Sequence, residues 1–101
     1  MSREIVYMTV IAGRKEKSLL ISELTGFGAA LLTVVYGKGL AEYSSFLQAL
    51  GLYHQHDKEV ITCLIKEEKV DEVFEMLRVK FKFDKPDTGI AFTVKVEGVL
   101  Y

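Results

Sequence analysis

The order of strand-like and helix-like segments constrains the fold of this chain more than any other feature. Four segments are rich in β-branched and aromatic residues and lack a helical period, which is typical of strands. Two longer segments between them space their apolar residues at helical intervals. The order β-α-β, insertion, β-α-β predicts an α+β, ferredoxin-like sandwich, in which a four-stranded antiparallel sheet carries two helices on one face. The predicted strands are Glu4–Ala12, Ala30–Tyr36, Glu59–Lys66 and Gly89–Glu97, the predicted helices are Arg14–Leu24 and Glu67–Phe83, and a short helical insertion, Leu40–Leu50, lies between the second and third strands.

Length and composition narrow the class of protein. With 101 residues, half of them hydrophobic, we expect residues 1–101 to form a single domain. A formal net charge of −1 gives no reason to expect a nucleic acid or an anionic membrane as partner. The apolar runs are too short for direct membrane insertion. One cysteine, Cys63, cannot form an internal disulfide, so the expected compartment is the cytoplasm.

The predicted strands are apolar on both faces. In the first strand Ile5, Tyr7 and Ile11 point to one side, and Met8 and Val10 point to the other. The second and third strands show the same double pattern. Two helices can cover only one face of a four-stranded sheet, and an apolar face of this size is an interaction surface when it is left open. We therefore expect the open faces to pack on other copies of the same chain.

Two glycine-marked corners are candidates for binding a small anion. One is Gly37-Lys38-Gly39 after the second strand, and the other is Lys85-Pro86-Asp87-Thr88-Gly89 before Ile90 and the last strand. Glycine allows backbone amides to approach a ligand closely, and a nearby lysine offsets negative charge. The simpler interpretation of each corner is a turn or a helix-to-strand connector. If the fold brings the corners together, they form a small-anion or nucleotide site.

Three other patterns have a functional and a structural interpretation. His54 and His56 could hold a metal ion, or they could belong to a solvated loop. The insertion carries an apolar stripe that could contact a partner protein, although such stripes more often pack on their own domain. Cys63 lies among apolar residues and is expected to be a buried, inert thiol, and no spacing suggests a catalytic set. The stripe consists of Tyr43, Phe46, Leu47 and Leu50.

These residues resemble the PII signal-transduction superfamily, in particular its short PII-like members. Val34-Val35-Tyr36-Gly37-Lys38-Gly39 is similar to the position where that family begins its T-loop, which would here span residues 37–57. The connector that ends in Gly89, with the strand that follows it, resembles the family's B-loop and final strand. The resemblance implies a non-enzymatic homotrimer with inward-facing sheets. It also implies clefts between subunits for ATP, ADP, AMP or another small anion, and a T-loop that signals to a partner such as a membrane transporter or an enzyme.

Two other families resemble this chain in architecture. Divalent-cation tolerance proteins share this fold, and a metal-binding trimer of that kind would depend on His54 and His56. Acylphosphatase shares the architecture as well, and Arg14 follows the first strand as its phosphate-binding arginine would. That enzyme needs an asparagine to orient water, and this chain contains none. The sequence therefore predicts a binding protein and not an enzyme.

Overall fold

Seven helices and strands make up the part of the chain that the structure describes. The structure is a computed structural model and describes residues 4–36, 44–49, 51 and 58–97, with the backbone alone for Tyr36, Ser44 and Phe46. Turns of 3₁₀-helix, Arg14–Glu16 and Glu67–Lys69, precede two of the helices. The elements are β1 (Ile5–Gly13), α1 (Lys17–Gly26), β2 (Ala30–Tyr36), α2 (Ser44–Ala49), β3 (Lys58–Lys66), α3 (Val70–Lys80) and β4 (Ile90–Lys95).

The strands form one antiparallel sheet in the order β2-β3-β1-β4. β1 is central and pairs with β3 along its whole length, with Val10 opposite Ile61. On its other side β1 pairs with β4, and Ile11 lies opposite Ile90. β2 and β4 are therefore the edge strands. This topology confirms the predicted α+β, ferredoxin-like fold, including the short helix between the second and third strands.

One face of the sheet forms the core with α1 and α3. The β1 side chains Met8 and Val10 have no exposed surface and pack in one cluster with α1 and α3. Each fully buried aliphatic side chain contributes about 1.5–3 kcal/mol to stability, so this cluster holds both helices on the sheet. The helix residues that are buried in it are Leu20 and Leu24 of α1 and Val73, Met76 and Leu77 of α3, followed by Phe81. Among the described residues no helix has the length and hydropathy needed to cross a bilayer.

The last helix ends earlier than its apolar pattern predicts. A helix over Glu67–Phe83 was expected, but α3 ends at Lys80, and Lys82 has a left-handed backbone with φ of 62°. The amides of Phe81 and Phe83 donate to the carbonyl oxygen of Leu77, at 3.1 and 3.3 Å. Phe81 is buried against the core. The two aromatic residues thus end the helix because they turn the chain back toward the sheet.

The second face of the sheet is only partly covered. We call it the open face. Threonines Thr33, Thr62 and Thr9 lie directly opposite one another on neighbouring strands, and Phe92 completes this row on β4. The hydroxyls of Thr33 and Thr62 form a hydrogen bond with each other. The strand pattern predicted two apolar faces, and the structure shows that a hydroxyl row divides the open one.

The helix α2 covers one end of the open face. Its Leu47 is buried and packs on Ile11, Val60, Ile90 and Phe92, in a cluster separate from the main core. Beyond this contact several apolar side chains of the face stay accessible. The exposed fractions are 42% for Ile5, 42% for Tyr7 and 55% for Val94.

Gly89, the residue before β4, packs too closely for any side chain. A Cβ atom at this position would lie 2.5 Å from the Phe83 ring and 2.7 Å from the carbonyl oxygen of Ile11. Real Cβ atoms do not approach backbone oxygens so closely, so a larger residue would push β4 away from β1. Glycine is needed here for packing, whatever its role in ligand binding.

We predict that Gly89→Ala lowers the free energy of unfolding by about 1–3 kcal/mol, the usual cost of overpacking a tight site. Gly26→Ala is the matched control, because a Cβ atom there meets nothing within 4 Å. Urea unfolding followed by circular dichroism measures both. Equal stability of the two variants would contradict the close packing at Gly89.

Candidate functional site

Both glycine corners are attached to the same end of the sheet. At this end Gly13 of β1 is opposite Lys58, and Tyr36 of β2 is opposite Glu59. β4 begins at Ile90, opposite Ile11. One corner follows β2 in the sequence, and the other precedes β4. These two strands form opposite edges of the sheet and are separated by three strand spacings, about 14 Å. The two corners are therefore attached to opposite edges of the sheet.

Several of the predicted site residues lie outside the described residues. These are Gly37, Lys38, Gly39, Tyr43, Leu50, His54 and His56, and the side chain of Phe46. Their roles in binding an anion, a partner or a metal remain predictions. In the part of the chain that the structure describes, no group of three or more His, Cys, Asp or Glu side chains is arranged to hold a metal ion.

The connector from Lys82 to Gly89 is held by its own hydrogen bonds. The Thr88 hydroxyl donates to the carbonyl oxygen of Lys82 at 2.8 Å and to that of Lys85. The Lys85 amide donates to the Lys82 carbonyl oxygen at 2.8 Å. Asp87 has a left-handed φ of 56°, which is unusual for a residue other than glycine. The Thr88 hydroxyl was predicted to contact an anion, and in this structure its hydrogen stabilises the connector.

Lys58 ties this connector to the sheet. Its side chain is only 7% exposed, and Nζ donates to the carbonyl oxygen of Asp87 at 3.0 Å. An ammonium group carries three donors, and this hydrogen bond uses one of them. Lysine is seldom buried, and here it lies at the start of β3, opposite Gly13 of β1. The sequence analysis missed Lys58, although a lysine directly before an apolar strand was a usable signal.

A small cleft lies where Lys58 meets the connector. Its volume is about 210 Å³, and both Lys15 and Lys58 line it. Asp87 and Thr88 contribute the connector wall, and Glu16 also lines the cleft. The lining residues thus include two lysines and two acids, and the lysine ammonium groups are the ones that suit a small anion such as a phosphate or carboxylate group. This sheet-end cleft is the candidate ligand site.

The predicted residues Lys85 and Ile90 have different positions relative to the cleft. Lys85 is exposed on the connector, so its charge lies on the same segment as the cleft wall. Ile90 packs with Leu47 on the open face. Ile90 therefore contributes to the seat of α2.

Leu47 was predicted as a partner contact, with packing on its own domain as the alternative. The structure shows that alternative: Leu47 is 1% exposed, while Ser45, Gln48 and Ala49 of the same helix are exposed. Its side chain stabilises the fold of its own chain and is not accessible to a partner while α2 stays in place.

Cys63 has the environment expected of an inert residue. It is 1% exposed, and burial raises the pKa of its thiol. A raised pKa reduces the fraction of reactive thiolate at neutral pH. The structure thus agrees with the prediction that Cys63 is a structural residue.

Glu59 is a buried acid next to the cleft. It is 1% exposed, and its Oε1 atom has no hydrogen-bond partner in the described part of the chain. Burial raises the pKa of the Glu59 carboxyl, and the positive charges of Lys17 and Arg14 oppose this shift. The pKa of Glu59 is higher in the folded than in the unfolded chain. At pH values above the usual glutamate pKa, the folded state therefore binds more protons than the unfolded state does. The free energy of unfolding must then fall over that range.

We predict that Glu59→Gln removes this pH dependence. At pH 8 the variant should be more stable than the wild type by about 1 kcal/mol, since the cost of burying the carboxylate charge exceeds the attraction of Lys17 and Arg14 that opposes it. At pH 4, where the carboxyl is mostly protonated in both the folded and the unfolded state, the difference should shrink. Urea unfolding at both pH values tests this, with the exposed Glu68→Gln as control. Destabilisation of Glu59→Gln at pH 8 would show that the carboxylate is favourably paired.

Comparison with known proteins gives matches in structure but not in sequence. Neither a family model nor a curated protein sequence matches the chain. A PII-like signalling protein from Thermus thermophilus is similar in structure, with a TM-score of 0.65, 16% identity and coverage of 92% of this chain and 86% of that one. CutA1 from Oryza sativa has a TM-score of 0.66 and 12% identity, covering 96% of this chain and 84% of its own.

A nitrogen regulatory PII-like protein, CPII from Thiomonas intermedia, is also similar. Its structure bound to ADP, AMP and bicarbonate has a TM-score of 0.64 and 18% identity, and the match covers 96% of this chain and 97% of that chain. At such identities the similarity concerns the fold. The chain therefore has the fold of the PII-like signalling proteins, as the resemblance of its sequence predicted.

Proposed function

We propose that this protein is a non-enzymatic, PII-like regulator that binds a small anionic ligand and signals through residues 37–57. The ligand is an adenine nucleotide or a related anion, and the binding unit is a homotrimer in the cytoplasm. The observation that carries the proposal is the sheet-end cleft, where the buried Lys58 is held against the connector. CPII, which has the same fold, has been solved with ADP and AMP bound.

The charge and chemistry of the cleft favour binding over catalysis. Lys15 and Lys58 line it, and Lys85 lies on the connector that forms its wall. Each charge-assisted hydrogen bond to a phosphate contributes about 1.5–3 kcal/mol. The described residues that line the cleft include no cysteine or histidine, and the Thr88 hydroxyl is engaged with connector carbonyls. The lysines among these described groups can hold an anion.

Two features support assembly of the sheets face to face. The open face exposes apolar side chains on central and edge strands, among them Tyr7 and Val94. A cavity of about 370 Å³ on the same face is lined by residues such as Tyr7, Val35 and Phe92. The edge strands to which the two glycine corners are attached are about 14 Å apart within one chain, so we propose that a cleft between subunits allows one ligand to reach a corner from each of two copies.

The nucleotide part of the proposal predicts measurable binding that depends on Lys58. Isothermal titration with ATP, ADP, AMP and cyclic nucleotides should give heat with at least one of them. Lys58→Met keeps the apolar stem and removes the ammonium, and it should raise the Kd by about 10- to 100-fold. Lys69→Met is the control, because Lys69 lies on the turn before α3 and pairs with Glu72. No heat with any nucleotide at saturating concentration would contradict nucleotide binding.

The assembly part predicts that a charge on the open face dissociates the oligomer. Val94→Asp should convert a trimer into monomers, because burying an unpaired carboxylate between subunits is costly. Val79→Asp is the matched control, since Val79 is similarly exposed, at 50%, but lies on α3. Light scattering after size exclusion gives the mass of each. A wild-type monomer, or a Val94→Asp trimer, would contradict face-to-face packing.

The partner and the metal-binding alternative involve residues outside the described part of the chain. We propose that residues 37–57 contact the regulated protein, a membrane transporter or an enzyme. Metal binding by His54 and His56 stays an alternative prediction for the same segment.

A further inference from the structure

The sheet-end cleft carries both signs of charge. Its charged lining residues are Lys15, Lys58, Glu16 and Asp87, so their formal charges cancel. Within the described part of the chain, neither Lys15 nor Glu16 forms an ion pair. A ligand with negative groups alone would bring them close to the Glu16 carboxylate, and like charges at short distance are destabilising. The cleft therefore suits a ligand that has one positive and one negative group.

Lys58 provides the positive side of the cleft. It is 7% exposed, so little water reaches its ammonium group. The hydrogen bond from Nζ to the Asp87 carbonyl oxygen, at 3.0 Å, uses one of the three donors of that group. Among the described residues no second acceptor meets this Nζ atom. A carboxylate can accept the remaining hydrogens without displacing the Asp87 carbonyl oxygen, and it would offset the cost of burying the positive charge.

Glu16 provides the negative side of the cleft. It is the last residue of the 3₁₀ turn Arg14–Glu16 before α1, and it is partly buried. This turn directly follows β1, whose last residue, Gly13, is opposite Lys58 in the sheet. The fold thus brings a carboxylate and a buried ammonium to one cleft from distant parts of the sequence. In an α-amino acid the ammonium and the carboxylate are attached to the same carbon atom, so one small molecule can contact both.

The size and the apolar wall of the cleft restrict the rest of the ligand. Its volume of about 210 Å³ is below the ~300–1,000 Å³ of sites that enclose drug-sized ligands. A nucleotide could therefore place only part of itself in the cleft, whereas a small amino acid fits as a whole. Phe81, Phe83 and Ala12 form the apolar part of the lining. Such a wall suits a short, uncharged side chain.

We propose that the sheet-end cleft binds a small zwitterion, an α-amino acid with a short uncharged side chain. Lys58 holds its carboxylate, Glu16 holds its ammonium, and its side chain packs on Phe81 and Phe83. This inference rests on the proposed function, because it requires that the cleft binds a ligand through Lys58. It names a second class of ligand for that site, and a nucleotide phosphate in the same cleft would compete with the amino acid for the Lys58 ammonium.

Isothermal titration of the wild-type chain with glycine, L-alanine, L-serine and L-valine tests the ligand class. At least one of them should give heat. Each is compared with the acid that lacks its amino group and with the amine that lacks its carboxylate, which for L-alanine are propionate and ethylamine. Both analogues of the amino acid that binds should bind about tenfold more weakly or worse, because each loses one charge-assisted contact. No heat with any amino acid, or an acid that binds as tightly as its amino acid, would overturn the inference.

A variant of Glu16 separates the amino acid from the nucleotide. Glu16→Gln should raise the Kd of the amino acid by about tenfold and should not weaken the binding of ADP. Glu68→Gln is the matched control, because Glu68 is exposed on the 3₁₀ turn before α3, and it should change neither Kd. An unchanged Kd of the amino acid in Glu16→Gln would overturn the role of Glu16.

The two proposals for the cleft can fail separately. If ADP binds and no amino acid does, the zwitterion inference is wrong and the nucleotide proposal stands. If an amino acid binds and no nucleotide gives heat, the nucleotide proposal is wrong and the zwitterion inference stands. Lys58→Met should weaken whichever ligand binds, because both would use its ammonium.

Discussion

Two helices can cover only one face of a four-stranded sheet, and the rest of this structure follows from that limit. α1 and α3 bury the side of β1 that carries Met8 and Val10. The other face, also built from apolar residues, remains available. Part of it is covered within the chain by Leu47 of α2, and elsewhere it exposes apolar side chains such as Tyr7 and Val94. The lack of helices on the second face of the sheet thus accounts for the position of α2 on the open face and for the assembly we propose.

The end of the sheet combines packing and charge. Gly89 allows the connector to lie directly against β1, where the Ile11 carbonyl oxygen excludes any larger residue. Lys58 then holds the connector through the Asp87 carbonyl oxygen, and the buried Glu59 beside it has an oxygen without a hydrogen-bond partner in the described residues. A polar group that stays unpaired inside a stable fold is costly. This end of the sheet is therefore less optimised for stability than the core, which is common where a protein binds something.

Features that depend on local periodicity could be predicted from the sequence, and those set by pairing between distant residues could not. Alternating apolar residues in β1 and the helical stripe of α3 gave both elements and the fold. The end of α3 was missed because Lys82 adopts a left-handed backbone that only the packing of Phe81 and Phe83 explains. Lys58 was missed because its acceptor, Asp87, is 29 residues away. Whether the two glycine corners come together was left open, because the distance between the ends of β2 and β4 depends on strand order, which no local pattern contains.

The threonine row affects how easily the open face can be removed from water. A register shift in β2 between Ala30 and Thr33 brings Thr33 opposite Thr62, and their hydroxyls bond to each other. In this pair one hydroxyl donates and the other accepts, so only the hydrogen of the accepting hydroxyl still requires a partner. This stretch of the sheet can therefore lose its contact with water without leaving both hydroxyls unpaired. The register shift in β2 makes their pairing possible.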